Sequence, residues 1–430
     1  MFQTYQDAVK YVEGKKEAGI VYDIERMKLL MKHLRHPERR VKTIHVAGTN
    51  GKGSTVTFLQ NMLQESSFFV GTFMTPAFGD PKNQISINGE PMSETDFLNG
   101  INAIYDKVVQ VEEKANQPFS FFEVMTTLAL YFFSTQKPVD MAIIETGMGG
   151  RKDATNVITP LVSIITNISF DHEAYLGESI EDIAAEKAGI IKSGVPVMTA
   201  AQSPALDILK REAANKKSTV YSLHERIKLD SRIVEGKQLL DYEAPYRTMK
   251  DIELGMFGDH QGENAALCLM TLDYLKQFYA VIVDDEQIKQ GLKQAAIRGR
   301  FEQVNESPVI ILDTAHNPAA VKVSVTALIQ KYPNHTIHVL FGAMEDKNVV
   351  EMLTILDRAA IKLNVTTFDS ERAKKLDTYE TLNNDHMPLN NVKDLRHFLL
   401  EWKNKSSADE VLFVVGSHHF IGEVINRTDL

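Results

Sequence analysis

The sequence contains a single cysteine, Cys268, so a framework of internal disulfide bonds is excluded. Cys268 lies in the apolar run AALCLM, which predicts a buried core position. No apolar run approaches the roughly 20 residues that a membrane-spanning helix needs. The first residues also lack the apolar core of a secretion signal. We therefore expect a cytoplasmic protein with no membrane partner.

Positive charge is scarce as well, with 47 Lys and Arg against 57 Asp and Glu and a net charge of −10. This balance argues against a nucleic-acid partner, because such proteins usually present a basic face. It leaves small anionic ligands open, since the local field at a site decides whether they bind. The length of 430 residues and the ordinary globular composition predict two domains.

The stretch TIHVAGTNGKGS, from Thr43 to Ser54, carries the clearest chemical signal. Apolar, β-branched residues at its start predict a buried strand, and the amphipathic run after it predicts a helix. Three glycines surround Lys52 between these two elements. Backbone N–H groups, the helix N-terminus and the lysine would together bind phosphate. Relative to the common G-x-x-x-x-G-K-[ST] pattern, Val46 replaces the first glycine and Gly53 replaces the hydroxyl residue after the lysine.

Strands alternate with helices along the chain, which predicts an α/β protein with doubly wound parallel sheets. We expect an N-terminal P-loop ATPase domain with a mostly parallel sheet over residues 1–297. A C-terminal Rossmann-like parallel α/β domain should follow over residues 298–430, with the linker at Ile297–Phe301. Pro76–Gly89 reads as a long loop, and Ile227–Leu254 as a small antiparallel piece.

Polar residues follow the predicted strands of the first domain at Thr75, Glu145 and His172. Ligands bind at the carboxyl ends of strands in open parallel sheets, so a hydroxyl, a carboxylate and an imidazole could surround one Mg²⁺ there. For Glu145 alone, a helix-capping or ion-pairing role is equally compatible with the sequence. Lys187 lies on a predicted helix, where spacing alone favours an exposed lysine with its stem along the surface.

The second domain has two polar strand ends. Asp313 and His316 lie in LDTAHNP, and Ser417 precedes two histidines in GSHH. Their position suggests a second substrate. The spacing of the histidines is poor for zinc.

Seven motifs together resemble the folylpolyglutamate synthase family, which includes bifunctional dihydrofolate synthases and belongs to the Mur-ligase-like group. They are HVAGTNGKGS, ETGMGGRKDATN, ITNISFDH, AEKAGIIK, RGRFE, LDTAHNPAA and GSHHFIGEV. The resemblance runs from about Val9 to about Val424, and the GTNGKG[ST] loop is this group's own version. The resemblance implies an ATP-dependent amide-forming ligase. Such an enzyme adds L-glutamate to a folate carboxylate through an acyl phosphate and releases ADP and phosphate.

The resemblance also implies roles for individual residues. Lys52, Lys187, Asp313 and His316 would be catalytic, and Lys187 would be carbamylated. Mg²⁺ would be held by Thr75, Glu145, His172 and the modified Lys187, with a monovalent cation as a further candidate. The ATP contacts would be Thr49, Asn50, Gly51, Lys52, Gly53, Ser54, Asn264, Arg300 and Asp313. The substrate contacts would be Arg151, Lys152, Asp153, His316 and Ser417.

The implied partners are a reduced folate, L-glutamate and ATP, acting on a monomer whose domains close about Gly299. Dihydropteroate remains open as a further substrate, because bifunctional members share these motifs. The sequence departs from the family in the long loop, where Pro76-Ala77-Phe78 lacks a histidine and Gln84 replaces an arginine. Two alternatives are a different Mur-type amino-acid ligase and a nucleotide switch, although the Asn-Lys-x-Asp guanine reader of a GTPase is absent.

Overall fold

The computed structural model describes residues 1–19, 21, 23–383 and 387–427. The sequence predicts two helices around a loop over residues 1–36, and Ile20 and Tyr22 in this stretch lie outside the described residues. The chain forms two compact units. The first comprises Met1–Asp230, Leu240–Glu253 and Gly262–Ala295, and the second comprises Ser231–Leu239, Leu254–Gln261 and Ala296–Leu430.

An eight-stranded sheet forms the centre of the first unit within the described part of the chain. Its strands are β1 (Thr43–Ala47), β2 (Val70–Phe73), β3 (Ile85–Ile87), β4 (Glu90–Pro91), β5 (Met141–Glu145), β6 (Val162–Ile165), β7 (Val197–Thr199) and β8 (Val220–Ser222). They lie in the order β4-β3-β2-β5-β1-β6-β7-β8. In this spatial order, every pair of neighbouring strands from β2 through β5, β1, β6 and β7 to β8 is parallel. Strand β3 pairs antiparallel with both β2 and β4, which gives the sheet an antiparallel edge.

The helices before and around this sheet bury apolar side chains against it. They are α1 (Tyr5–Gly14), α2 (Glu25–His33), α3 (Lys52–Glu65), α4 (Glu94–Ala115), α5 (Phe121–Tyr131), α6 (Glu173–Leu176), α7 (Ile180–Lys187), α8 (Ala205–Asn215) and α9 (Leu223–Arg226). Strand β1 is buried along its whole length, as expected for a strand covered on both faces. Cys268 is buried and its thiol donates to the carbonyl of Thr55 at 3.4 Å, which confirms the expected core position.

Three strands after α9 form a separate sheet in the order β11-β10-β9. They are β9 (Lys228–Val234), β10 (Lys237–Ala244) and β11 (Arg247–Leu254). Their two-residue connections require antiparallel pairing, because a parallel pair needs a long crossover. The antiparallel piece expected over Ile227–Leu254 is therefore present. Helices α10 (Asp259–Tyr279) and α11 (Asp285–Gln294) follow.

The second unit is built on a six-stranded sheet, counted over the residues that the structure describes. Its strands are β12 (Glu302–Glu306), β13 (Val309–Asp313), β14 (Thr336–Gly342), β15 (Lys362–Thr366), β16 (Leu389–Val392) and β17 (Glu410–Gly416), in the order β12-β13-β17-β14-β15-β16. All pairs are parallel except β12 with β13. Its helices are α12 (Pro318–Lys331), α13 (Val349–Asp357), α14 (Leu376–Glu380), α15 (Leu395–Lys405) and α16 (His418–Arg427).

The α/β class with a mostly parallel first sheet is confirmed, and local errors concern short elements. The expected loop Pro76–Gly89 contains a 3₁₀ turn at Pro81–Gln84 and strand β3. The sequence pattern predicts a helix over Val392–Lys403, whereas the helix starts at Leu395, because the residues up to Val392 form the edge strand β16. The residue type of Asp23 predicts it as the N-cap of α2, and this prediction is wrong. Ile24 occupies that position, while Asp23 accepts a hydrogen bond from the Glu25 N–H at 3.0 Å.

Among the described helices, none combines the length and apolar character needed to span a bilayer.

Candidate active site

The loop between β1 and α3 depends on two glycines with positive φ. Gly48 has φ 146° and Gly51 has φ 84°, in the region that favours glycine. A Cβ atom at Gly48 would lie 1.8 Å from Oγ1 of Thr166, and one at Gly51 would lie 2.3 Å from Oδ1 of Asn264. Both positions therefore require glycine for space as well as for conformation. The second approach also brings Asn264, a predicted ATP contact, against the loop.

The same loop is tied to the segment after β6. The Thr49 N–H donates to the carbonyl of Asn167 at 2.9 Å, and the Asn50 N–H donates to Oδ1 of Asn167 at 3.0 Å. Oγ1 of Thr166 donates to the carbonyl of Asn50 at 2.6 Å. Sequence reasoning missed Thr166 and Asn167 as site residues. The signal for them is the polar run that follows the predicted strand in ITNISFDH.

Two lysines meet at one carbonyl oxygen of this loop. Nζ of Lys52 donates to the carbonyls of Gly48 at 3.1 Å and Thr49 at 3.0 Å. Nζ of Lys187, from the last turn of α7, donates to the same Gly48 oxygen at 2.9 Å. Lys187 is only 4% exposed, so the expectation of a surface lysine from its spacing alone is wrong. The helix instead directs this side chain at the phosphate loop.

Burial has a marked effect on the Lys187 amine. Desolvation, the largest cause, and the nearby Lys52 ammonium together lower its pKa from 10.5 to about 7. The carboxylates of Asp171 and Asp153 oppose the shift. A large fraction of Lys187 is therefore the neutral amine near pH 7, which is the nucleophilic form of a lysine.

The first turn of α3 supplies the other groups of the loop. The helix begins after Gly51, which has no side chain to cap it. Helix N-termini leave N–H groups without intrahelical partners, and these attract anions. Gly53 and Ser54 lie in this first turn, and Ser54 is buried. The loop and turn together form an arrangement suited to phosphate oxygens.

Thr75 and Glu145 are brought together at the ends of neighbouring strands β2 and β5. Oε2 of the buried Glu145 accepts a hydrogen bond from the Thr75 N–H at 3.2 Å. A hydroxyl and a carboxylate are the hard oxygen donors that Mg²⁺ prefers, so this pair fits the ion. His172 lies at the start of the short helix α6, with Nε2 3.9 Å from Oδ2 of Asp171. Among the described residues, no group of three His, Cys, Asp or Glu side chains forms a complete metal cluster by itself.

The segment after β5 packs on the end of α7. The Arg151 N–H donates to the carbonyl of Glu186 at 2.8 Å, and its guanidinium donates to the carbonyl of Ala185 at 2.9 Å. Asp153 is buried, and its carboxylate accepts from the Met148 N–H at 2.9 Å. Burial raises the pKa of this carboxyl, which those hydrogen bonds oppose. Asp153 thus positions the segment from within, while Lys152 is exposed to solvent.

In the second unit, Asp313 ends strand β13 in a buried position. Its carboxylate accepts from the Ala315 N–H at 2.8 Å and from Oγ of Ser324 at 2.9 Å. Burial raises the pKa of Asp313, and the nearby Arg300 guanidinium acts against this rise. Arg300 and Asp313, both predicted ATP contacts, therefore interact electrostatically within one unit.

His316 and Ser417 lie at the same carboxyl edge, after β13 and β17. Nδ1–H of His316 donates to the carbonyl of Thr314 at 2.8 Å, which makes Nε2 the basic atom of the neutral ring. Oγ of Ser417 accepts from the Phe420 N–H at 3.1 Å and caps α16. His418 was not predicted as a site residue. Burial, as the largest cause, together with the nearby Arg300, His419 and His316 lowers its pKa to about 3.

Comparison with known proteins gives one consistent family. Residues 46–272 match the Mur ligase middle domain, and residues 299–418 match the Mur ligase glutamate ligase domain. The chain is 36% identical to the dihydrofolate synthase/folylpolyglutamate synthase of Bacillus subtilis, over 99% of this chain and 100% of that protein.

Solved structures agree with this similarity. Folylpolyglutamate synthase of Mycobacterium tuberculosis, complexed with ADP and AMPPCP, superposes with a TM-score of 0.89 at 27% identity and covers 99% of both chains. Folylpolyglutamate synthase of Thermotoga maritima superposes with a TM-score of 0.84 at 30% identity, over 98% of this chain and 96% of that chain.

Proposed function

Because this chain belongs to the Mur ligase family, within its dihydrofolate synthase/folylpolyglutamate synthase branch, we propose that it uses ATP to join L-glutamate to the carboxylate of a reduced folate. The observation that carries the proposal is the meeting of Lys52 and Lys187 at the Gly48 carbonyl. The Lys52 ammonium at a glycine-rich helix start suits a reaction that moves a phosphoryl group, and the Lys187 amine lies beside it, bonded to the same carbonyl oxygen.

The nucleotide is assigned to the loop from Thr49 to Ser54. Backbone N–H groups and the Lys52 ammonium would hold the β- and γ-phosphates, with Asn264 beside Gly51. The ties of the loop to Thr166 and Asn167 would keep it in place before ATP arrives. Arg300 and Asp313 are assigned to the nucleotide as part of the same proposal. The boundary at residues 297/298 would then separate an ATP-binding part from a glutamate-binding part.

Mg²⁺ is assigned to Thr75, Glu145 and His172, and a second ion to Lys187 after carbamylation. When bound, the metal would neutralise charge on the phosphate oxygens. Carbamylation forms a bond between the neutral Nζ and the carbon of CO₂ and releases one proton. Its product is an anionic oxygen ligand. The depressed pKa of Lys187 supports this step, because only the unprotonated amine reacts.

The chemistry then proceeds in two balanced steps. A carboxylate oxygen of the folate attacks the γ-phosphorus of ATP, and ADP leaves. The α-amino group of glutamate attacks the carbonyl carbon of the acyl phosphate, loses a proton and expels inorganic phosphate. The chain's own contribution is alignment and charge stabilisation. The Lys52 ammonium would stabilise the negative charge of the transferred phosphoryl group. His316 and Ser417 would orient the amino acid.

Residues in the segment after β5 are assigned to folate binding. Asp153 holds this segment through Met148, so we assign folate positioning to Arg151, Lys152 and Asp153 as a unit. Asp153 would act through the backbone, since its carboxylate is buried. A reaction with dihydropteroate is a second candidate, because the Bacillus subtilis relative carries both activities in its name.

A product assay tests the proposal. Purified protein is incubated with ATP, Mg²⁺ and L-glutamate, together with tetrahydrofolate, dihydropteroate or no acceptor, and products are identified by mass spectrometry. We expect a product one glutamate heavier than tetrahydrofolate, with one phosphate released per bond formed. Phosphate release that does not need both acceptor and glutamate would favour a nucleotide switch. Addition of an amino acid only to a non-folate carboxylate would favour another Mur-type ligase.

A further inference from the structure

The segment after β5 caps the carboxyl end of helix α7. The Arg151 N–H donates to the Glu186 carbonyl at 2.8 Å, and Nη2 of Arg151 donates to the Ala185 carbonyl at 2.9 Å. Carbonyls in the last turn of a helix lack partners further along the helix, and basic side chains often satisfy them. The helix dipole also favours a cation at this end. One arginine thus holds two successive carbonyls at the end of α7.

A buried asparagine links the same two parts of the chain. Nδ2 of Asn156 donates to the Arg151 carbonyl at 2.9 Å and to the Gly189 carbonyl at 3.0 Å. Gly189 lies in the 3₁₀ turn Ala188–Ile190, which directly follows α7. Asn156 is 7% exposed, so water competes little for these hydrogen bonds. The segment is therefore tied both to α7 and to the turn after it.

Two glycines bring the two backbones into direct contact. A Cβ atom at Gly150 would lie 2.9 Å from the carbonyl oxygens of Glu186 and Lys187. A Cβ atom at Gly189 would lie 2.2 Å from Cα of Arg151. There is no room for a side chain at either point. Because packed interiors transmit displacements, a shift of one segment moves the other.

The Arg151 guanidinium faces carboxylates as well as helix carbonyls. Its Nε lies 3.7 Å from Oε1 of Glu186, and its Nη2 lies 3.8 Å from Oε2 of Glu212 on α8. Two carboxylates therefore offset a single positive charge. This local balance disfavours a direct pairing of Arg151 with a carboxylate of the substrate. The side chain is directed to α7 and α8 instead.

Lys187 is the last residue of α7, so its side chain starts from the turn that Arg151 holds. Its Nζ donates to the Gly48 carbonyl of the phosphate loop at 2.9 Å. A lysine has a flexible four-carbon stem, so its nitrogen stays at one point only if the backbone beneath it is fixed. A displacement of about 1 Å near a reacting group can cost about a hundredfold in rate. The order of this last turn is therefore important for the reaction.

We propose that Arg151 is a positioning residue for Lys187, which fixes the last turn of α7 and thereby holds the lysine nitrogen at the Gly48 carbonyl. This inference rests on the proposed ligase function and deepens it. The Arg151 side chain acts on the phosphate loop through Lys187, while the backbone of its segment serves the folate. The segment after β5 thus joins the folate side of the reaction to the phosphate side.

Hydrogen exchange followed by mass spectrometry measures the order of this turn without any substrate. Full-length wild type is compared with Arg151→Met, which keeps a stem of similar length without an N–H donor, and with Arg151→Lys, which restores a cation. Arg211→Gln is the matched control, because Arg211 is an exposed arginine on α8 beside Glu212. We expect exchange in the peptide over residues 180–192 to quicken about tenfold in Arg151→Met, the value of one good hydrogen bond. Arg211→Gln should match the wild type.

Steady-state kinetics with tetrahydrofolate separate positioning from direct substrate binding. Arg151→Met should lower kcat about tenfold to a hundredfold and change KM for tetrahydrofolate less than about threefold, because Lys187 is assigned to the phosphoryl transfer. Arg151→Lys should recover most of the turnover, and Arg211→Gln should retain all of it. Arg151→Gln serves as a second variant without the guanidinium if Arg151→Met lowers the melting temperature.

Two results would overturn the proposal. They are unchanged exchange over residues 180–192 in both Arg151→Met and Arg151→Gln, and a raised KM for tetrahydrofolate with an unchanged kcat, which would indicate direct substrate contact. A wild type that forms no glutamylated folate would refute the proposed reaction instead. Faster exchange in Arg151→Met would in that case still support the positioning of the Lys187 turn by Arg151.

Discussion

The low pKa of Lys187 makes its reaction with CO₂ depend on pH in a way that an ordinary lysine would not show. With a pKa of about 7, about nine in ten Lys187 amines are neutral at pH 8. A lysine at its usual 10.5 would be neutral in only about one molecule in 300 at that pH. The carbamate should therefore form readily at pH 8 and at low CO₂. Near pH 7 only about half of the Lys187 amines are neutral, so the amount of carbamate should fall accordingly.

The assay follows the carbamate carbon by NMR after addition of ¹³C-labelled bicarbonate, from pH 6 to pH 9. Lys187→Met should abolish the signal together with ligase activity, and short carboxylic acids should restore part of that activity. Lys192→Met is the matched control, because Lys192 is also largely buried with its pKa lowered to about 8. A signal that survives in Lys187→Met, or full activity of Lys187→Arg, would refute the reasoning.

The same shift has a consequence for stability. Folding favours the neutral form of Lys187, so the unfolded chain binds more protons between pH 7 and pH 10.5. The contribution of this residue to the free energy of unfolding should therefore rise with pH across that window, by up to about 5 kcal/mol, and stay constant below it. Denaturation midpoints of the wild type relative to Lys187→Met, measured in CO₂-free buffer, should separate with this sign.

Three further predictions concern the loop and the metal. Lys52→Ala should reduce turnover at least a hundredfold with an unchanged melting curve, while the exposed-site variant Lys10→Ala retains activity; near-normal turnover of Lys52→Ala would remove the phosphate role. Gly48→Ala should lower stability by about 2 kcal/mol or more and abolish ADP binding, because its Cβ would lie 1.8 Å from Oγ1 of Thr166, and calorimetry with ADP checks both effects. Chelation of divalent ions should abolish product formation, and added Mg²⁺ should restore it; full activity in excess chelator would exclude the metal.

The sequence predicted long, strongly patterned elements well. The strand and helix around Lys52 follow from one β-branched run and one amphipathic run, both of which are local signals. Edge strands β12 and β16 escaped prediction because their residues are only partly buried and lack a continuous apolar run. Their strand conformation comes from pairing with neighbours distant in sequence, which no local pattern encodes.

In the candidate site too, some features follow from local sequence patterns and others depend on tertiary contacts. The positions of Thr75 and Glu145 at adjacent strand ends could be anticipated from the rule for parallel sheets. The burial of Lys187 could not, because it depends on α7 ending where its side chain reaches a carbonyl 139 residues earlier in the chain. Family resemblance identified the lysine, and the geometry supplies the physical reason for its lowered pKa. Thr166 and Asn167 likewise gain their roles from tertiary contacts with the loop.

The central claim is that a folate carboxylate is activated as an acyl phosphate at the loop around Lys52. Tetrahydrofolate labelled with oxygen-18 in its γ-carboxylate tests this most directly. The labelled oxygen attacks phosphorus and leaves with the phosphate, so the account predicts inorganic phosphate that carries one oxygen-18 atom for each amide formed. Unlabelled phosphate alongside the glutamylated product would contradict it.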